Sequence, residues 1–230
     1  MNIALILAGG SGTRMLHETP KQFIHVNGRP LLDFTIERFQ LHPKIDSITI
    51  VCLHGWESYV KVLCSDREYD KVNSIVTGGR SAIESIKKGI ETLSCEDEDV
   101  IVIHDGVRPL VDEASIDAVI RDCKQYGGAI SAVPSLEHMV YQGDSRTDIH
   151  YIPREKTFKT ITPQAYLYSN IIDAFRTMET TGAGRDAAFI GTLMMDIGLP
   201  VCLSPGSSTN IKITMPGDLE LFSILLHEKA

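Results

Sequence analysis

The chain has 230 residues, 43% of them hydrophobic and 23% charged, an ordinary globular composition that excludes a disordered or fibrous protein. Its net charge of -8 and isoelectric point near 5.5 exclude a general nucleic-acid binder, which needs a basic face to displace counterions from phosphates. Five widely spaced cysteines, odd in number and without a CxxC pair, suggest neither a disulfide framework nor a zinc site and are read as reduced thiols.

The length fits one domain, residues 1–230. Its first element, Ile3 to Ala8, is an apolar run too short for a signal-peptide core or a membrane span, so a cytoplasmic protein without membrane insertion is expected. Strand-like runs and helical patterns then alternate. A helix over Pro30 to Gln40 is followed by a strand over Ser47 to Leu53 and a helix over Trp56 to Leu63. A strand over Val72 to Thr77 precedes a helix over Ser81 to Leu93, and the strand Val100 to His104 precedes a helix near Asp112 to Tyr126. Ala129 to Val133 reads as the next strand. This alternation predicts an α/β fold with a Rossmann-like, mostly parallel sheet flanked by helices, because right-handed crossovers gather such strands side by side. Runs such as VIVIH, apolar throughout, fit strands covered on both faces. In such sheets ligands bind where strands end, which places the loops after Ala8, Thr77, His104 and Val133 around one crevice. Residues 134–160 break the rhythm: MVYQ and DIHYI flank a polar turn, GDSRT, and read as a β-hairpin arm.

The richest segment is LAGGSGTRM, Leu7 to Met15, followed by TPKQF, Thr19 to Phe23. A strand feeding a glycine-rich turn brings peptide N–H groups close to phosphate oxygens, and Arg14 and Lys21 add positive charge. The dinucleotide fingerprint fails because Met15 stands where its last glycine belongs, which argues against an NAD-dependent oxidoreductase. A P-loop fails for want of GK[ST].

GGSGTRM with PKQF resembles the nucleotidyltransferases that activate sugars and sugar alcohols, in particular the methylerythritol phosphate and ribitol-5-phosphate cytidylyltransferase branch. HDGVRP (His104 to Pro109), ITPQAY (Ile161 to Tyr166) and NIKIT (Asn210 to Thr214) extend the resemblance in order along most of the chain. It implies transfer of CMP from CTP to a sugar-alcohol phosphate with release of pyrophosphate, a ribitol-5-phosphate-like acceptor being favoured. The methylerythritol phosphate step of isoprenoid synthesis is the alternative, and a catalytically silent nucleotide-binding module is a further one. Displacement at phosphorus needs cations and positioning and no covalent nucleophile.

By resemblance, Gly10, Ser11, Gly12 and Thr13 wrap the triphosphate, Arg14 and Lys21 neutralise the departing pyrophosphate, and Lys212 holds the α-phosphate. Ala8, Gly9, Gly78, Gly79 and Ser85 take the cytosine. The family's usual arginine in that segment falls at Ala82, with Arg80 two residues earlier. Asp105 orients a substrate hydroxyl or contacts Mg²⁺ carried by the CTP phosphates. Arg108 binds the acceptor, unless it forms a structural ion pair with Asp105. Thr162 adds a hydroxyl to the acceptor phosphate. The arm implies a homodimer in which Arg154 reaches the neighbouring subunit's acceptor site. Departures fall on the acceptor side: Glu137 and His138 stand where the family carries AspThr, and Arg185 and Asp186 where it carries ThrAsp. A guanidinium in place of a hydroxyl suits a more anionic acceptor.

Overall fold

The computed structural model describes residues 1–10, 15, 19–184, 187 and 189–227. Seven strands form the central sheet: β1 (Asn2–Ala8), β4 (Ser47–Cys52), β5 (Val72–Thr77), β6 (Val100–Asp105), β7 (Gly128–Pro134), β10 (Phe158–Leu167) and β11 (Cys202–Pro205). Their order is β11-β7-β10-β6-β1-β4-β5, and only β10 runs antiparallel to its neighbours. Two small hairpins, β2 (His25–Val26) with β3 (Arg29–Pro30) and β8 (Met139–Gln142) with β9 (Ile149–Ile152), lie outside it.

Alternation along β1 explains why its sequence is apolar throughout. Ala4, Ile6 and Ala8 enter one core with Leu32, Ile36 and Phe39 of α1 (Leu31–Gln40), Val60 of α2 (Glu57–Asp66) and Val119 of α4 (Glu113–Tyr126). Ile3 and Leu5 enter the opposite core with Ile86 of α3 (Ala82–Ile90), Phe175 of α5 (Tyr168–Thr181) and Leu193 of α6 (Ile190–Asp196). Each fully buried Leu, Ile or Val among them contributes about 1.5–3 kcal/mol. A third cluster seats α7 (Pro216–His227): Phe222 meets Phe34 edge-on at 5.2 Å, and Ile213 just before the helix is fully buried.

Helix ends follow local chemistry. The Asp112 carboxylate accepts from Ser115 N at 2.8 Å and starts α4, and Gly127, at φ 88°, ends it in the left-handed region. Burial pushes the Cys52, Cys64 and Cys123 thiols up to about 12, so they stay protonated, and all five cysteines are free. No described helix is long and apolar enough to cross a membrane.

The arm is narrower than 134–160. Pro134 pairs with Phe158, Val133 with Lys159 and Ala132 with Thr160, so backbone hydrogen bonding draws both ends of that segment into the central sheet. What lies outside the central sheet is the β8–β9 hairpin and its flanks. Met139, Val140, Tyr141, Ile149 and Tyr151 on it are exposed.

Candidate active site

Register sets the site. Leu7 lies beside Asp105, Ala8 beside Cys52, and Cys52 beside Thr77, so the carboxyl ends of β6, β1, β4 and β5 line up. A cleft of about 480 Å³ opens above them, bounded by Ala8 to Gly10, Lys21, the Gly79 to Ala82 turn, Ser85, Asp105 and Lys212. A second compartment of about 210 Å³ adjoins it, lined by Arg108, Thr160 to Thr162, Gln164, Phe189 and Thr192. Asp105 and Lys212 border both.

Small residues form the floor of the first compartment. Gly78 N donates to Cys52 O at 2.7 Å, and a Cβ on Gly78 would approach that oxygen to 3.3 Å and Ser85 Oγ to 3.2 Å. Ser85 Oγ accepts from Gly79 N at 3.0 Å and donates to Ser81 O at 2.8 Å, which fixes the turn leading into α3. Ser81 caps that helix by accepting from Glu84 N. Among the described residues nothing lies within 4 Å of where a Gly10 Cβ would stand, which leaves that side of its backbone open to a ligand.

Lys21 begins a short 3-10 turn, Lys21–Phe23, that is anchored on both sides. The Phe23 ring stacks on Trp56 at 4.2 Å, and the buried Gln22 amide donates to Ala8 O at 2.8 Å and Gly10 O at 2.9 Å. Gln22 therefore ties the lysine turn to the strand-end loop. Sequence reading passed over it, although it stands inside PKQF.

Between the compartments lies a charge triad. Asp105 Oδ2 accepts from Arg108 Nε at 2.9 Å and Oδ1 from Lys212 Nζ at 3.1 Å. Burial alone would raise the Asp105 carboxyl, but Lys212 and Arg108 outweigh it and hold the group below the usual carboxylate range. Arg108 also donates to Asn210 O at 2.8 Å and is itself buried, so the ion pair weighed from sequence is present while Arg108 still lines the second compartment. His104 is fully buried facing away from the cleft, its Nε2 3.1 Å from Arg108 O, and burial pushes it down to about 4.

Lys212 depends on the C-terminal segment. Ile213 N donates to Val107 O at 2.9 Å, and Asp218 in the first turn of α7 accepts from Thr214 N at 2.7 Å and Met215 N at 2.8 Å. The second compartment depends on an irregularity in β10: the register with β7 slips between Thr160 and Gln164, and Thr162 turns its hydroxyl to accept from Asp105 N at 3.1 Å. Asn210 Nδ2 donates to Thr162 O at 2.8 Å.

A family model described as IspD: 2-C-methyl-D-erythritol 4-phosphate cytidylyltransferase matches residues 2–228. This chain belongs to the IspD family. Its members are CTP-dependent nucleotidyltransferases, and the chain is a cytidylyltransferase of that kind. A ribitol-5-phosphate cytidylyltransferase from Lacticaseibacillus paracasei is 39% identical across all of this chain and 99% of its own length. One from Streptococcus agalactiae is 36% identical, covering 98% of this chain and 95% of its own. A 2-C-methyl-D-erythritol 4-phosphate cytidylyltransferase from Syntrophus aciditrophicus is also 36% identical, over 99% and 96%. The fold matches the crystal structure of 4-diphosphocytidyl-2C-methyl-D-erythritol synthase from Anaerococcus prevotii with a TM-score of 0.84, 23% identity and 98% coverage of both chains.

Of the IspD-type site residues expected from sequence, Ala8, Gly9, Gly10, Lys21, Gly79, Ser85, Asp105 and Lys212 meet at the first compartment, with Gly78 beneath it. Arg108 and Thr162 meet at the second. Ser11, Gly12, Thr13, Arg14, Arg185 and Asp186 lie outside the described residues. Glu137, His138 and Arg154 are exposed and line neither compartment of their own chain, so the loop after Val133 does not join the crevice as expected: β7 continues to Pro134 and the chain leaves for the arm. Arg80 borders the first compartment. Gln22, Gln164, Phe189, Thr192 and Asn210 were not singled out from sequence, and only their places inside or beside PKQF, ITPQAY and NIKIT could have flagged three of them.

Proposed function

We propose that this chain transfers CMP from CTP to ribitol 5-phosphate. The observation that carries the reading is the Asp105–Lys212 pair standing as the common wall of two compartments of unequal size, the larger suited to a nucleotide and the smaller to a small phosphate. An acceptor phosphate oxygen attacks the α-phosphorus, the new O–P bond forms as the bond to the β-phosphate oxygen breaks, and pyrophosphate leaves. The open Gly10 backbone and Lys21 take the leaving phosphates. Lys212 holds the α-phosphoryl oxygens from the wall, and its ammonium neutralises charge there as the oxygens crowd. The small Gly9, Gly78 and Gly79 with the Ser85 hydroxyl admit the base edge, where donor and acceptor positions discriminate cytosine from uracil.

Support for ribitol 5-phosphate comes from full-length relatives bearing that name at 36–39% identity. The methylerythritol acceptor is the second reading, favoured by the family model's description.

Asp105 is the one carboxylate lining either compartment among the described residues. That donor set fits Mg²⁺, which takes one or two carboxylates and fills its shell with substrate phosphates and water. Asp105 would hold it, and the bound ion supplies charge neutralisation to the phosphoryl oxygens. The described residues gather histidine and carboxylates elsewhere, at His42, Glu113 and Asp117, but that group is outside the cleft and the Lys44 ammonium already sits 2.8 Å from Asp117.

The arm's exposed apolar side chains support a homodimer in which each hairpin packs on a second copy and Arg154 enters the partner's acceptor compartment. Light scattering tests the dimer, and Arg154→Ala should raise the acceptor KM. For the activity, pyrophosphate release is followed with CTP, Mg²⁺ and each polyol phosphate in turn. Fastest turnover is expected with ribitol 5-phosphate, and silence across the panel would end the proposal.

A further inference from the structure

Gln164 sits in β10 immediately after the slipped register, only 8% exposed, and lines the second compartment with Thr162 and Thr192. Its carboxamide is oriented from behind. The Tyr166 hydroxyl, fully buried, donates to Gln164 Oε1 at 2.9 Å. That phenol has no other hydrogen-bond partner among the described residues, and burial pushes it well above its ordinary range, so it stays protonated and remains the donor. With the oxygen held by tyrosine, the amino end turns away from it, and among the described residues it has no hydrogen-bond partner.

The amino end is not sealed off with the oxygen, so its N–H donors are available to a polar group that enters the compartment. Packing also limits what that partner is. A Cβ on Gly191, in the first turn of α6, would come within 2.7 Å of the Ile130 side chain and 3.0 Å of the Tyr166 hydroxyl, so the wall behind the amide has no slack and only the compartment side is open. Across it stand cations: Arg108, and Lys212 at the shared wall. An anionic or hydroxyl-rich ligand satisfies the amide; an apolar one does not.

We infer that the Gln164 carboxamide, held by Tyr166, donates to the acceptor's phosphate or hydroxyl oxygens and helps select the acceptor, with Tyr166 as a positioning residue behind it. This rests on the reading that the second compartment takes a polyol phosphate, and it adds a recognition pair to that reading.

The test measures both substrates' KM in variants of the full chain. Gln164→Glu keeps an oxygen for Tyr166 but replaces the donors with negative charge. The double variant Gln164→Met/Tyr166→Phe removes both buried polar partners together, which spares the fold an orphaned hydroxyl. Each should raise the KM for ribitol 5-phosphate by about tenfold or more, with the CTP KM within twofold of wild type. Tyr166→Phe alone should show a smaller rise of the same kind. An acceptor KM unchanged in both Gln164 variants, or CTP and acceptor KM rising together, would overturn the inference. If wild type turns over methylerythritol phosphate in place of ribitol 5-phosphate, the same comparison is made there and the inference stands or falls by it. No turnover with either overturns the functional reading and this inference with it.

Discussion

The two compartments of the cleft are built in opposite ways. The first is made by parallel strand ends in register, floored by Gly9 and Gly78 and closed by backbone-directed bonds from Gln22 and Ser85. The second is made by the one antiparallel strand, where the ladder slips, and by side chains from distant segments, Arg108, Thr162, Gln164, Thr192 and Lys212. Backbone geometry tolerates little change, whereas a wall of side chains is altered one substitution at a time. A nucleotide common to a family and an acceptor that differs among its members suit that division.

The largest effect should come from the shared wall. Lys212→Ala should cut kcat about 100- to 1000-fold by removing charge stabilisation, with Lys21→Ala close behind. Steady-state pyrophosphate release reads both, and near-normal rates would dissolve the distinction between wall and compartment. Asp105→Ala should cost about 3 kcal/mol of stability, since it leaves the buried Arg108 without its carboxylate. The midpoint of urea unfolding reports it.

Smaller effects sharpen the contrast. Ser85→Ala leaves Gly79 N without its acceptor and should raise the CTP KM about tenfold while leaving the acceptor KM alone. A matching rise in the acceptor KM would mean the compartments are not separable. A further effect falls on stability and not on turnover. His104 is held neutral, its pKa lowered by burial from 6.5 to about 4, so the unfolded chain takes up a proton before the native one does. Its contribution is complete above pH 6.5 and is lost as pH falls toward 4. His104→Gln should flatten the stability profile across that window, as followed by unfolding midpoints at several pH values. Asp105, held below the usual carboxylate range, gives up its share only in stronger acid.

The alternating elements through β7 were legible because hydrophobic period and turn residues are local signals: Val72–Thr77 was placed to the residue, and the helix read near Asp112 to Tyr126 matches α4 to within one residue. The first compartment was legible for the same reason, being largely composed of contiguous motifs. The slip in β10, the tyrosine behind Gln164 and the pinning of Lys212 by Val107 and Asp218 were not, because each depends on pairing between segments far apart in the chain. Nor does any local pattern say that Glu137 and Arg154 stand clear of their own cleft.

Lys212 belongs to a segment held by the helix Pro216–His227, whose Phe222 docks on Phe34 from the first fifth of the chain. During synthesis the amino-terminal strands leave the ribosome first and can begin to pair, yet the wall of the cleft is missing until Phe222 has emerged. A chain whose helix Pro216–His227 has yet to emerge therefore lacks the support of Lys212, and CTP turnover is expected only once Phe222 can dock.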